Sequence, residues 1–550
     1  MHSSLSVHGG VHTRPAALAI TLLKRHWPLL LLLFVIGCFA LDRWHLRNIP
    51  LERDEGEYAY GGQLVLHGIP PYVLLYSMKL PGMFLAYAGI MGLFGQSIPA
   101  IHFGLLIVNA VTALLLFLVG KRLIGPGGGL VAGASYCLLS SSPSVLGFAA
   151  HAAQFAMLPV LAGILVLFKA ADRQKPWLWF ISGLFFGIAF LVKQPALVFS
   201  LLGFVCTRWC AQPAPARRLR TQTNLGIYAF GVALPFLATC LVMLAYGTFR
   251  TFWFWTVSYA REYATTQTIA QGLWILRWML PKVVVPCIGI WVLALVGLSA
   301  LVWSPTARRH WVFVLALLAC SLLAVCPGLY FRAHYFVFTL PVIGLLAALA
   351  VSCTTEFLRQ RLRSRIWIGL PALLYLVAFA ASLYGQRVYL LRMSPLAAAW
   401  TTYGSNPFPE ALDVGEYLKL HTTSDARIAV LGSEPEIYFY ADRRSATGYI
   451  YTYGLMEPSP YAAEMQKAMI AEIEAAQPQY VVLVNVAPSF GRLPGSETRI
   501  FRWMDNYLPA HYDLVGIEEF GHFREVDSSR RDTQQTSAGM FIKVFRRKES

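Results

Sequence analysis

The chain has 550 residues, of which 57% are hydrophobic and 13% charged, and its mean hydropathy is +0.54. Soluble domains carry about 25% charged residues, so this composition excludes an ordinary cytosolic enzyme, a disordered chain and a collagen-like chain. The net charge of +17 would suit a nucleic-acid partner, but its distribution argues for a membrane instead. Residues 1–386 hold 28 of the 45 Lys and Arg but 8 of the 28 Asp and Glu, whereas 387–550 hold the other 17 bases and 20 acids. Two units are predicted: an apolar, basic membrane unit over 1–386 and a soluble-type unit over 387–550.

Crossing roughly 30 Å of hydrocarbon takes about 20 apolar residues. Candidate spans lie at 28–46, 101–120, 128–147, 152–170, 176–192, 195–209, 225–246, 283–303, 311–326, 335–353 and 366–386. A further apolar stretch, 81–95, has fifteen residues. Basic clusters mark the loops: Lys24–Arg25, Lys121–Arg122, Lys169/Arg173/Lys175, Arg208 with Arg217/Arg218/Arg220, Arg308–Arg309, and Arg359/Arg361/Arg363/Arg365. If 81–95 does not cross, all of these clusters face the cytoplasm; if it crosses, all face outward. The positive-inside rule therefore predicts about eleven spans, with 81–95 a re-entrant or interfacial helix on the outer side. The N-terminus is then cytoplasmic and the C-terminal domain extracytoplasmic, periplasmic in a Gram-negative cell. The pair 176–192 and 195–209 is read as two spans; one continuous helix there would invert everything after it.

The C-terminal unit alternates strand-like and helix-like segments. Arg427–Leu431 and Tyr480–Asn485 read as buried strands, Tyr461–Ala476 as an amphipathic helix, and Tyr512–Ile517 and Phe541–Phe545 as further strands. The pattern predicts a small α/β domain with a parallel or mixed sheet. It contains no G-x-G-x-x-G and no P-loop, so no nucleotide site is expected. All nine cysteines lie between Cys38 and Cys353, so this domain has no disulfide framework.

The most informative feature is a cluster of carboxylates. Four of the eight acids in the membrane unit, Glu52, Asp54, Glu55 and Glu57, fall within six residues directly after the first span. One reading is a solvated helix exit. The other is a general base beside a membrane-embedded substrate, since partial burial raises a carboxyl pKa and nearby cations keep it ionised. Arg53, Lys79 and Arg261 are the candidate counter-charges. Lys193 is isolated between two apolar halves, where a charge needs a partner; a phosphate would serve, and so would snorkelling to the interface.

The segment LERDEGEYAY at 51–60, then GIPPY at 68–72, then Lys79-Leu80-Pro81, resembles the first outer loop of the GT-C glycosyltransferases. The likeness is nearest to the protein O-mannosyltransferase and aminoarabinose (lipid A) transferase group. It implies a polytopic α-helical membrane enzyme that uses a polyprenyl-phosphate-linked sugar. By this resemblance Asp54 is the base, and Glu55 orients the acceptor or the base. Lys79 matches a lysine near the active site, and Lys193 in LVKQP matches an element near the carrier phosphate. Arg332 and His334 lie where the family has a basic or aromatic element before a span, and are assigned to donor phosphate. Glu57, Tyr58, Lys79, His151, Arg261, Tyr330 and Tyr335 are the candidate substrate contacts. Where many GT-C enzymes carry a second acid, this chain reads FAAHAAQ at 148–154, so His151 either replaces it or is a buried structural histidine. The missing acid argues against an obligatory metal, because hard cations prefer oxygen ligands.

The expected activity is transfer of a sugar, with inversion, to a hydroxyl of a glycolipid such as lipid A, a glycan or a protein. The expected partners are that donor, that acceptor and the bilayer, with no nucleic acid. The rival reading is a multi-span transporter or flippase. Against it stand the absence of an internal repeat and the surface position of the acids.

Overall fold

The computed structural model describes the backbone of residues 15–210, 215–362, 364–519, 521–526 and 541–549; within these, the side chains of 15–25, 208–210 and 215–221 are not described. The expected basic clusters at Lys24, Arg25, Arg208, Arg217, Arg218, Arg220 and Arg363 lie outside the described side chains.

The first nine helices are α1 (Pro15–His45), α2 (Arg53–Leu66), α3 (Gly82–Phe94), α4 (Ile98–Leu123), α5 (Pro126–Ser140), α6 (Ala152–Arg173), α7 (Pro176–Val192), α8 (Leu201–Cys210) and α9 (Pro215–Ala245). Seven described segments are long and apolar enough to cross a membrane: His26–His45, Ile98–Leu123, Ala152–Arg173, Gln222–Ala245, Ile269–Trp303, Ala333–Arg361 and Arg365–Arg392. Gly82–Phe94, Pro176–Val192, Gln194–Thr207 and Trp311–Val325 are shorter apolar helices. The compositional boundary at 387 falls inside a helix that runs on to Arg392. The apolar run 128–147 is α-helical only to Ser140, because Pro143 opens a short 3-10 turn.

Side-chain contacts sort the helix ends into two groups. At one end, Arg122 on α4 pairs with Asp172 on α6 at 2.6 Å, and Thr306 bonds Glu356 at 2.8 Å. At the other end, Asn109 on α4 bonds Gln154 on α6 at 2.7 Å, and His45 bonds the Met393 carbonyl at 3.1 Å. Arg122, Arg308, Arg309 and the Arg359/Arg361 pair beyond Glu356 gather at the first end, while the acid cluster lies at the second together with Arg53, Lys79, Lys193, Arg261 and Arg332.

Helix α3 does not run between these ends. Gly82 packs so tightly on the Leu191–Val192 backbone that a Cβ would collide with it. At the other terminus, Phe94 meets Phe103 at the start of α4, ring centroids 5.0 Å apart. Both neighbours belong to the acidic end, so α3 lies across that end against α2.

The chain reverses at Lys193, whose extended backbone (φ −152°, ψ 118°) stops α7. Tyr228 on α9 meets Phe186 of α7 and Phe204 of α8, each at 6.1 Å, and its hydroxyl donates to the Ser200 carbonyl at 2.7 Å. Residues 186 and 204 therefore lie at one level, and 176–192 and 194–210 are antiparallel segments rather than one helix.

The C-terminal domain is a six-stranded mixed sheet covered by helices. Its strands are β1 (Arg427–Leu431), β2 (Arg444–Ser445), β3 (Tyr480–Asn485), β4 (Tyr512–Glu519), β5 (His522–Glu525) and β6 (Phe541–Arg547), in the order β2-β1-β3-β6-β4-β5. β2, β1 and β3 are parallel, and β6, β4 and β5 pair antiparallel. The segments that follow β1 and β2 dock the domain directly on α2. Arg53 donates to the Ser433 carbonyl at 2.6 Å and pairs with Glu434 at 3.1 Å, Tyr451 donates to the Arg53 carbonyl at 2.8 Å, and Tyr440 accepts the Leu51 N–H at 2.8 Å.

Candidate active site

The site is organised by the first turn of α2. Glu52 caps the helix by accepting the Glu55 N–H at 3.0 Å, and Glu55 returns a bond to the Glu52 N–H at 3.3 Å. This reciprocal box places Asp54 and Glu55 in the first turn, where the helix dipole favours negative charge. The helical repeat then sends the acids in different directions.

Asp54 faces a cavity of about 410 Å³ between the helix bundle and the C-terminal domain. Its Oδ1 lies 2.7 Å from Lys79 Nζ, and its Oδ2 lies 3.7 Å from His151 Nδ1. Glu57, one helical turn on, is buried; it binds the same Lys79 Nζ at 2.5 Å and accepts the Ser77 hydroxyl. Burial pushes the Asp54 carboxyl up, but Lys79 opposes it strongly, and the net result lies well below the usual carboxylate range. Glu52 goes the other way: burial, then Asp54 and Glu55, raise it well above its ordinary value.

The cavity is also lined by Tyr58, Lys193, Arg261, Arg332, His334 and Tyr335, so it joins eight of the residues expected from sequence. Lys193 Nζ sits 4.8 Å from the centroid of the Tyr335 ring. Burial draws its ammonium down to about 8. Arg332 leaves the 327–331 turn, in which Gly328, Leu329 and Phe331 all have positive φ, and donates to the Tyr263 hydroxyl at 3.3 Å. Two non-glycine residues held in that region store local strain, a feature that clusters at functional sites.

Four expected site residues stand elsewhere. Glu55 is fully buried and points away from the cavity; its Oε1 accepts His102 Nε2–H at 3.0 Å and the Ala150 N–H at 2.6 Å. It does not line the cavity but holds the 148–151 loop, whose His151 lies beside Asp54. Glu57 faces a smaller aromatic cleft beside Lys79. His151 stacks behind His334, ring centroids 4.0 Å apart at 12°. Tyr330 lies behind Tyr263, stacked on it at 4.7 Å.

Sequence reasoning missed Tyr263, Gln194 and Tyr453, which also line the cavity. Gln194 follows the flagged Lys193 and donates to the Met78 carbonyl at 2.7 Å, so its position was a usable signal. Tyr453 comes from the C-terminal domain, 399 residues from Asp54, and no local pattern announces it. Tyr438, Tyr440, Arg443 and Arg444 of that domain read from sequence either as sugar or polyanion contacts or as ordinary core and surface residues; none of them lines the cavity. Tyr438 and Tyr440 accept backbone N–H groups of Val430 and Leu51, and Arg443 donates to the carbonyls of Lys419, Ala441, Asp442 and Thr422.

Asp54, His151 and His334 bring three metal-ligating atoms within 4.8 Å of one another. The rings are nearly parallel, however, and an ion about 2 Å from a nitrogen in the plane of one ring lies far out of the plane of the other. This arrangement does not fit a metal bound by both histidines.

Residues 79–243 match the family model for dolichyl-phosphate-mannose-protein mannosyltransferase. No curated protein sequence matches the chain. Among solved structures, ArnT from Cupriavidus metallidurans bound to undecaprenyl phosphate is similar with a TM-score of 0.55 and 17% identity, over 82% of this chain and 93% of that one. The Archaeoglobus fulgidus oligosaccharyltransferase in complex with Zn and sulfate gives 0.51 and 14%, over 90% and 73%. The chain is thus a multi-pass membrane protein with the GT-C fold of membrane glycosyltransferases.

Proposed function

We propose that the protein transfers a sugar from a polyprenyl phosphate to an acceptor hydroxyl at the extracytoplasmic face of its membrane. The observation that carries this reading is one cavity lined by a single ionised carboxylate, Asp54, and by the cations Lys79, Lys193, Arg261 and Arg332. Such a set suits an anionic leaving group opposite a proton acceptor. The match to a mannosyltransferase family model over 79–243 and the fold shared with a protein bound to undecaprenyl phosphate support the same donor class. Segregation of basic loops to the opposite end of the bundle supports an outward-facing site.

In this reaction the acceptor oxygen attacks the anomeric carbon as the bond from that carbon to phosphate oxygen breaks. The electron pair stays on the phosphate, which gains one negative charge that Lys193 and Arg332 neutralise; His334 and Tyr335 flank it. The acceptor proton passes to Asp54. A carboxylate held at so low a pKa is a weak base toward a free alcohol, but the alkylated oxygen formed in the displacement is far more acidic, so transfer accompanies or follows bond formation. A single displacement inverts the anomeric centre. Lys79 and Arg261 border the acceptor side.

The test is an in vitro assay with purified protein, synthetic polyprenyl-phosphate sugars and extracted envelope glycolipids or glycans. Asp54→Asn should lower turnover by about 10²–10⁴ while leaving donor binding in place. Undiminished transfer by that variant would end this reading.

A further inference from the structure

Among the described residues, Tyr453 is the one side chain of the C-terminal domain that lines the cavity at Asp54. It opens the short helix Tyr453–Met456 and also borders the aromatic cleft beside Lys79. Its place is fixed by Ser433, which is fully buried. The Ser433 hydroxyl accepts the N–H groups of Thr452 at 3.0 Å and Tyr453 at 3.1 Å. The Ser433 N–H donates to the Glu434 carboxylate at 2.7 Å and to Ser489 Oγ at 2.9 Å. The Ser433 carbonyl accepts Arg53 Nε–H at 2.6 Å, and Arg53 immediately precedes Asp54. One residue therefore ties Tyr453 to the neighbour of the reactive carboxylate. The Tyr453 ring packs on Tyr451 at 5.2 Å, and a Cβ on Gly491 would stand 3.2 Å from Tyr453 Cβ, so the side chain is braced as well.

Neighbouring tyrosines use their hydroxyls on the protein. Tyr451 donates to the Arg53 carbonyl at 2.8 Å, Tyr259 donates to the Glu457 carboxylate at 3.4 Å, and Tyr263 accepts from Arg332 at 3.3 Å. For Tyr453, among the described residues, only the backbone N–H is so engaged and no group hydrogen-bonds the hydroxyl. The charges that act on that hydroxyl most strongly are Arg332, then Asp54, Lys79 and Glu57. It thus lies between a cation assigned to the leaving phosphate and the carboxylate assigned to the acceptor proton. In a single displacement the anomeric carbon stands in that interval, so the ring being transferred does too. The cavity already offers Lys193 and Arg332 to a phosphate, whereas an uncharged phenol suits a neutral hydroxyl.

We propose that the Tyr453 hydroxyl bonds a hydroxyl of the transferred sugar, which makes the C-terminal domain a determinant of donor-sugar specificity. This rests on the transferase reading given above. A phenol braced in this way meets the ring where it stands during displacement, so the contact acts on turnover more than on donor affinity. A site that bonds a substrate hydroxyl rejects the analogue lacking it, because the protein group is then left unpaired.

The experiment uses full-length wild type and Tyr453→Phe in detergent, with thermal unfolding to show that both are folded. The donors are polyprenyl-phosphate-linked mannose, glucose, galactose, N-acetylglucosamine and arabinose, followed by each monodeoxy analogue of the best of them; the acceptor is extracted envelope glycolipid or glycan. Tyr453→Phe should lower kcat/KM for the best donor by about 10–100-fold, chiefly in kcat. With one deoxy donor the two proteins should have equal kcat/KM, and with the other deoxy donors the gap should remain. Equal rates of the two proteins on the parent donor would overturn the assignment. A gap that persists with every deoxy donor would overturn it too, since the hydroxyl then serves the acceptor. Failure of the wild type to turn over any donor is a different result: it ends the transferase reading, and this assignment falls with it.

Discussion

Asp54 is held by Lys79, whose ammonium lies 2.7 Å from Asp54 Oδ1 and is shared with Glu57 one turn along the same helix. The pairing decides the protonation state of the carboxylate. Without Lys79, burial still pushes Asp54 up and is opposed by His151 and His334 but no longer by the ammonium, so its pKa should rise. A group that works ionised loses activity as pH falls through its pKa, so the acid limb of kcat/KM should lie below the usual carboxylate range in the wild type. In Lys79→Met it should move to higher pH. The loss at a fixed pH is roughly tenfold for each unit by which the pKa exceeds that pH, and raising the pH should recover it. A pH–rate profile that is merely scaled down, with its limb unmoved, would assign Lys79 to substrate binding alone.

Lys193 makes the opposite prediction on the alkaline side. Its pKa is drawn down to about 8 by burial, so the free enzyme loses this cation as pH rises through 8. The value of kcat/KM for a polyprenyl-phosphate donor should therefore fall above pH 8. Lys193→Arg, charged throughout, should flatten that limb, although it is not isosteric at a point-charge site. Lys193→Met should raise KM for the donor at every pH. The check is a donor-saturation series between pH 6 and 10.

Glu55 should behave as a structural residue. Its Oε1 carries the Ala150 N–H and the His102 imidazole in a fully buried setting, so both are stranded if the acceptor is removed. Glu55→Leu is expected to cost about 3 kcal/mol, within the range for leaving buried polar groups without their charged partner. Glu55→Gln, which still accepts through its carbonyl, should cost less. Thermal unfolding in detergent separates this from a catalytic effect, because fully folded Glu55→Gln should keep its pH–rate profile.

The first outer loop and Lys193 were legible in the sequence because lone charges in an apolar chain must have partners. Asp54 and Lys79 are only 25 residues apart, and Lys193 sits at the turn that ends α7. The strands β1, β3, β4 and β6 were legible because each is a compact apolar run. β2 and β5 were not: β2 has two residues, Arg444 and Ser445, and β5 four mostly exposed ones. The direction of each acid was not legible either. Asp54 and Glu55 are adjacent and chemically alike, and their separation into cavity and core depends on His102 and Ala150, supplied by α4 and the loop before α6. Tyr453 entered the cavity from a domain whose docking no local pattern records.

That docking rests on a contact with no tolerance. Gly56 lies against the backbone of Glu436, and a Cβ at position 56 would stand 2.5 Å from the Glu436 nitrogen and 2.8 Å from its Cα. No real Cβ approaches backbone atoms so closely, and both partners are in helices, so neither yields cheaply. Gly56→Ala should push helix Glu436–Ala441 off α2 and cost about 1–3 kcal/mol. The same shift loosens the Arg53–Glu434 pair and withdraws Tyr453 from the cavity. The expected phenotype is a lower Tm, faster proteolysis of the C-terminal domain, and reduced kcat with donor affinity largely kept, since Lys193 and Arg332 belong to the membrane unit. Pairing Gly56→Ala with Glu436→Gly, which removes the side chain but leaves the backbone clash, should not restore the wild-type Tm. Full rescue by that pair would place the obstruction in the glutamate side chain instead.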